Sequence, residues 1–172
     1  VDVHMGRYDF QCTDCHQTDD HEIAGRSISV SVDNANQIAC TDCHQQDTTH
    51  TDERINVHLE TVACQTCHIP EGALRDPTKM NWDWSTAGDD TREESQHEYL
   101  KIKGSFVYEN EFQPEYYWYN GVAMRYLLGD PIDDDGLTTL NQPLGDINDE
   151  SAKIFPFKVH RAKQPYDTEY DT

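Results

Sequence analysis

The stretch from Cys40 to His68, CTDCHQQDTTHTDERINVHLETVACQTCH, constrains this chain more than any other part of it. It holds two copies of Cys-x-x-Cys-His whose first cysteines lie twenty-four residues apart, with His50 and His58 between them. A third copy, Cys12-Thr-Asp-Cys15-His16, stands upstream. In this pattern two thiols add across the vinyl groups of one haem, and the histidine that follows is placed to ligate the iron as its proximal axial ligand. Three motifs predict three covalent c-type haems, on Cys12, Cys15 and His16, on Cys40, Cys43 and His44, and on Cys64, Cys67 and His68.

Cysteines at this spacing also make half of a tetrahedral zinc site. Zinc does not require a histidine directly after each second cysteine, yet all three pairs have one, and all six cysteines are used in those pairs. A redox dithiol or a disulfide framework leaves the repeated histidine equally unexplained.

Only 35% of the 172 residues are hydrophobic, so side chains alone would build a thin core. A haem supplies a large flat apolar body for the polypeptide to wrap. The expected fold is therefore a multihaem cytochrome c, haem-wrapped and mostly irregular, with a few short helices and a minor β-hairpin. Residues 1–70 read as a three-haem binding region, and 71–172 as a cysteine-free, aromatic-rich region packing on the haems.

A formal net charge of −20 excludes the basic face that nucleic acid requires. The acid surface reads first as a solubility device, and otherwise as a face for cations or a basic electron-transfer partner. No stretch is apolar for long enough to span a bilayer. The start, VDVHMGRYDF, lacks the regions of a signal peptide and looks processed. Proteins with covalently attached haem resemble one another in being matured outside the cytoplasm, so the chain reads as periplasmic or extracellular with its export signal removed.

A low-spin electron-transfer haem takes a second axial ligand. Six histidines lie outside the motifs, and four of them, His4, His21, His50 and His58, are the distal candidates. His97 falls where Asp90 and Glu93 suggest a capping box, opening a polar helix that Gly104 would close, and reads as an exposed helix residue. Met5, Met80 and Met124 sit in ordinary contexts.

Elsewhere the alternation of Ile28, Val30 and Val32 suggests a short strand. Ile55, Val57, Leu59 and Val62 suit a short helix entering the third motif, and Pro70 would stop any helix there. Trp82 and Trp84 stand at strand spacing. Nine of the seventeen aromatic residues fall between Tyr99 and Tyr126, and Asn120-Gly121 suits a tight hairpin after the run Tyr116 to Tyr119. Asp133-Asp134-Asp135-Gly136 gives calcium a weak footing, since the ligand spacing of an EF-hand is not met. Lys153, Lys158, Arg161 and Lys163 form a basic patch suited to haem propionates.

The strings CTDCH, HLETVACQTCHIP, PTKMNWDWSTAG, KIKGSF, WYNGVAMRYLLGD, LNQPLGDI and KIFPFKVHRAKQPYD resemble the octahaem cytochromes c of the tetrathionate reductase type, from about Asp2 to Asp167. The resemblance implies bis-histidine haems stacked around one special haem ligated by lysine, where substrate is reduced. None of the motifs here is Cys-x-x-Cys-Lys, so no catalytic residue is carried over. The expected function is electron relay through bis-histidine haems outside the cytoplasm, with redox proteins as partners. The alternatives are part of a multihaem reductase of sulfur or nitrogen oxyanions, and a subunit of an extracellular filament in which copies share haem ligands, His4 being suited to lending.

Overall fold

The structure is a computed structural model that describes residues 3–25, 27, 36–45, 50–133 and 136–170. The strand expected around Ile28 to Val32 and two of the acidic-turn residues, Asp134 and Asp135, lie outside them. In chain order the helices are α1 (Val3–Arg7), α2 (Cys12–Cys15), α3 (Glu53–His58) and α4 (Cys64–His68). The strands are β1 (Thr18–Asp19), β2 (Glu22–Ile23), β3 (Thr78–Asp83), β4 (Tyr99–Leu100), β5 (Gly104–Glu109), β6 (Glu115–Tyr119), β7 (Ala123–Arg125), β8 (Asn141–Pro143), β9 (Lys153–Phe157) and β10 (Arg161–Lys163). Helices this short gain little from propensity and depend on what they pack against.

The chain divides into two compact units, each built from separate stretches: Val1–His68, Tyr116–Arg125 and Thr139–Phe155 in the first, and Ile69–Glu115, Tyr126–Thr138 and Pro156–Thr172 in the second. In the first unit β1 and β2 form a two-residue-a-side hairpin, β7 pairs with β8, and β6 pairs with β9. Strand β9 also holds the approach to the third motif: Ile154 N donates to Thr61 O at 2.8 Å, and Ala63 N donates back to Ile154 O at 3.0 Å. The Lys153 ammonium donates to the Leu59 carbonyl. The helix expected to run into this motif therefore stops at His58, because residues 59–63 bridge to β9 before α4 begins.

The Asn120-Gly121 turn does not fold β6 back onto β7. Asn120 N and Leu144 O bond at 2.8 Å, and Leu144 N returns a bond to Val122 O at 2.9 Å, so β7 is committed to β8. The turn is held by Asp149, whose carboxylate accepts from Ser151 Oγ at 2.6 Å, Asn120 Nδ2 at 2.8 Å and Ser151 N at 2.9 Å. The Ser151 hydroxyl first, then Asn120, hold this carboxyl below its usual range. A carboxyl depressed in the folded state contributes stability above its unfolded pKa and loses it as pH falls through the lower folded value. Asp149→Asn is therefore expected to lower the denaturation midpoint at neutral pH, with the gap to the wild type closing in acid. Denaturant melts from about pH 7 to about pH 2 check this, and a gap independent of pH would count against it.

The second unit carries a four-stranded sheet in the order β10-β3-β5-β4, larger than the minor hairpin the sequence suggests. β3 and β5 run antiparallel with an irregularity between Lys79 and Asn81, and β10 joins β3 in parallel. The Lys79 ammonium stands over the Phe106 ring at 4.0 Å and the Trp82 ring at 4.7 Å, where the ring faces attract it. Trp84 leaves the strand in a 3-10 turn, and its ring stacks on Trp82 at 5.0 Å, so only Trp82 is a strand residue.

The polar helix expected from Asp90 does not form. Asp89 takes the Thr91 amide and hydroxyl instead, and the buried Tyr99 places its hydroxyl between Asp89 N and O at 2.9 and 3.0 Å. Burial of that ring, with the Arg92 guanidinium 3.9 Å from its centre, outweighs a capping signal for a helix with no apolar face. Gly104 opens β5 rather than closing a helix, and His97 lies off any helix with its ring against Tyr108.

Candidate haem-binding site

Each motif is a single turn of helix. His16 N and His44 N donate to the carbonyls of Cys12 and Cys40, both at 2.8 Å, which sets two cysteines and a histidine three and four residues apart on one face. The second of the two residues between the cysteines also contributes in each motif. Asp14 and Asp42 accept from the amides of Gln11 and Ala39 at 2.7 and 2.9 Å, closing the turn from inside the motif. In the third motif Thr66 Oγ1 donates to Ile154 O at 2.7 Å, tying α4 to β9.

The structure brings two of the four distal candidates to a motif histidine. The rings of His4 and His44 have centroids 6.1 Å apart, and so do those of His50 and His68. An iron between two imidazole nitrogens needs about 2 Å on each side, and with about 1 Å from nitrogen to ring centre the centroids stand about 6 Å apart. Two unrelated ring contacts would have no reason to share that separation and to fall on motif histidines both times. His50 is also oriented: Asn56 Oδ1 accepts from its Nδ1 at 3.2 Å, and Asn56 Nδ2 donates to its carbonyl at 2.9 Å. An oxygen can only accept here, so Nδ1 carries the proton and Nε2 is left with a lone pair for a metal.

His16 is held differently. Its Nδ1 donates to Ala24 O at 2.7 Å, which again frees Nε2, but among the described residues no imidazole stands opposite it. His21, in the turn of the β1–β2 hairpin, and His58, at the end of α3, are exposed and lie outside the two pairs. The sequence gives no sign of Ala24, Asn56 or Ile154, which act through long-range returns or backbone atoms. The thiols of the second and third motifs meet: burial first, and then the neighbouring Cys64, raise the Cys40 thiol. Among the described residues no three of His, Cys, Asp and Glu converge to hold a bare metal ion.

Among the described residues the first unit buries few apolar side chains of its own. Its buried hydrophobic residues are Ala63, Ala123 and Ala152, while Met5, Tyr8, Phe10, Ile23, Ile55 and Val57 around the motifs lie open. A short-helix scaffold with its cysteines on single helical turns, paired imidazoles and uncovered apolar side chains defines a multihaem c-type cytochrome that carries covalent haem and relays electrons.

Comparison with known proteins agrees. The family described as cytochrome c bacterial matches residues 79–172, and cytochrome c7 and related cytochrome c matches residues 1–72. With just over half of its length matched by the first of these, the chain belongs to the bacterial cytochrome c family. That match falls wholly in the cysteine-free part. A crystal structure of octaheme cytochrome c from Shewanella oneidensis is similar at 49% identity over 99% of this chain, with a TM-score of 0.91. The chain spans 40% of the length of that one. No match is found among the curated proteins. Among the described residues no helix is long and apolar enough to cross a membrane.

Proposed function

We propose that the chain carries three haems, one on each motif, and passes electrons among them outside the cytoplasm to and from redox partner proteins. The observation that carries this reading is the pair of matched imidazole separations, 6.1 Å at both the second and the third motif. In it Cys12, Cys15, Cys40, Cys43, Cys64 and Cys67 anchor the porphyrins, and His16, His44 and His68 bind iron from the proximal side. His4 is the distal ligand of the second haem and His50 of the third. Bound haem supplies a one-electron iron couple. The protein's part is to fix ligand orientation, exclude water and hold the groups close, and residues 71–172 take the role of a cover packing on the haems. A pyridine haemochrome assay is expected to return three haems per chain, and a count below three would overturn the reading.

A second reading is favoured by the first motif, where no imidazole faces His16 among the described residues. A haem there with an open or non-histidine sixth position would make this chain part of a multihaem reductase of sulfur or nitrogen oxyanions. High-spin iron in the electron paramagnetic spectrum supports this, and wholly low-spin iron removes it. His4 stands beside His44 of its own chain, so an assembly in which copies share ligands would draw on His21 or His58 instead.

A further inference from the structure

Among the described residues His16 differs from the other two motif histidines in having a built acceptor for its outer nitrogen. The peptide that supplies the acceptor is tied on both sides. Ala24 N donates to Gln17 O at 2.9 Å, closing the base of the β1–β2 hairpin, and Gly25 N donates to Asn36 O at 2.8 Å. Asn36 reaches back with its side chain, Nδ2 donating to Ile23 O at 2.8 Å. The Ala24 carbonyl is thus fixed in place when it meets His16 Nδ1 at 2.7 Å.

The ring itself lies against Gly25. The residue sits at φ +106°, and a Cβ there would come within 2.7 Å of both Cε1 and Nδ1 of His16 and within 3.2 Å of Ile38 Cδ1. A Cβ that close forces something to move, and here it would be the imidazole or the hairpin base that holds its acceptor. Among the described residues neither His44 nor His68 has a hydrogen-bonded acceptor of this kind.

We propose that Ala24, Gly25 and Asn36 form a positioning bracket for His16, fixing the orientation of the first haem's proximal imidazole and lowering that haem's potential relative to the other two. The inference rests on the reading of His16 as a proximal ligand. The chemistry is that of an outer-sphere bond: a proton shared from Nδ1 to a carbonyl makes the imidazole a stronger donor, orients its plane and favours ferric over ferrous iron. These residues are positioning residues, since none of them touches the iron.

The test uses the haem-loaded chain and a spectroelectrochemical titration resolved into its components. Gly25→Ala is expected to keep three haems per chain and to move one component positive while the other two stay. Asn36→Gly, which suits that residue's φ of 52° and removes only the side-chain bond, is expected to give a smaller shift of the same component. Gly88→Ala is the control: Gly88 also has a positive φ, at +88°, but a Cβ there meets nothing within 4 Å, so it carries the backbone strain without the ring contact. If Gly25→Ala matches Gly88→Ala, or if all components shift together, the bracket is wrong. If Gly25→Ala loses a haem, Asn36→Gly decides, with a shift confined to one component supporting the proposal and no shift overturning it. A wild-type count below three would instead be a failure of the haem reading itself.

Discussion

A chain with Cys12, Cys15, Cys40, Cys43, Cys64 and Cys67 all changed to alanine is expected to lose the cooperative fold of its first unit. The motif turns are short and their neighbours, Val3, Tyr8, Ile23 and Val57 among them, are each more than half exposed when only protein atoms are present. Burying a side chain of that size contributes about 1.5–3 kcal/mol, and an open one contributes nothing against the backbone entropy of about 1–2 kcal/mol per ordered residue. Among the described residues the alanines buried in this unit, Ala63, Ala123 and Ala152, cannot offset that cost, so bound haem has to supply the apolar faces. The sheet of the second unit has its own buried Tyr99 and Phe106 and uses no cysteine. Hydrogen exchange on the six-alanine chain should therefore find protection lost from α3, α4 and β9 and retained in β3 and β5. Unchanged protection in α3 and α4 would show that the first unit stands without haem.

What the sequence made legible was local chemistry. A Cys-x-x-Cys-His motif is one helical turn because the haem demands its groups three and four residues apart, and the structure has that turn at all three motifs. The capping signal at Asp90 was equally local but lost to a tertiary event, the burial of Tyr99 on Asp89. The Asn120-Gly121 dipeptide did make a turn, yet the strands on either side took partners far along the chain, β9 and β8. The same long-range logic hid the two imidazole pairs. His4 rides on α1 and reaches a histidine forty residues on, while His58, next to the third motif in sequence, ends α3 exposed and outside both pairs. Spacing along the chain places the motif histidines because the motif is a local unit. Their partner imidazoles arrive by folding, so spacing ranks them poorly.

His50→Ala is the substitution that separates these two kinds of legibility. His50 sits eighteen residues before His68 and is steered by Asn56, which bonds both its ring Nδ1 and its carbonyl and leaves Nε2 the lone pair, and its ring stands 6.1 Å from that of His68. Removing the imidazole should leave the third haem attached through Cys64 and Cys67 but open on one side. About a third of the iron should change from six-coordinate low-spin to high-spin, and one potential should rise as an electron-donating ligand is lost. Asn56→Ala should act in the same direction and more weakly, since outer partners of a metal ligand typically change its affinity by about tenfold or more. His58→Ala, which removes a histidine nearer in sequence but outside both pairs, should leave the low-spin iron of the second and third haems as it is. Magnetic circular dichroism in the near infrared reads these changes haem by haem. A loss of low-spin signal from His58→Ala with none from His50→Ala would transfer the distal role to the sequence neighbour and refute the pairing drawn from the rings.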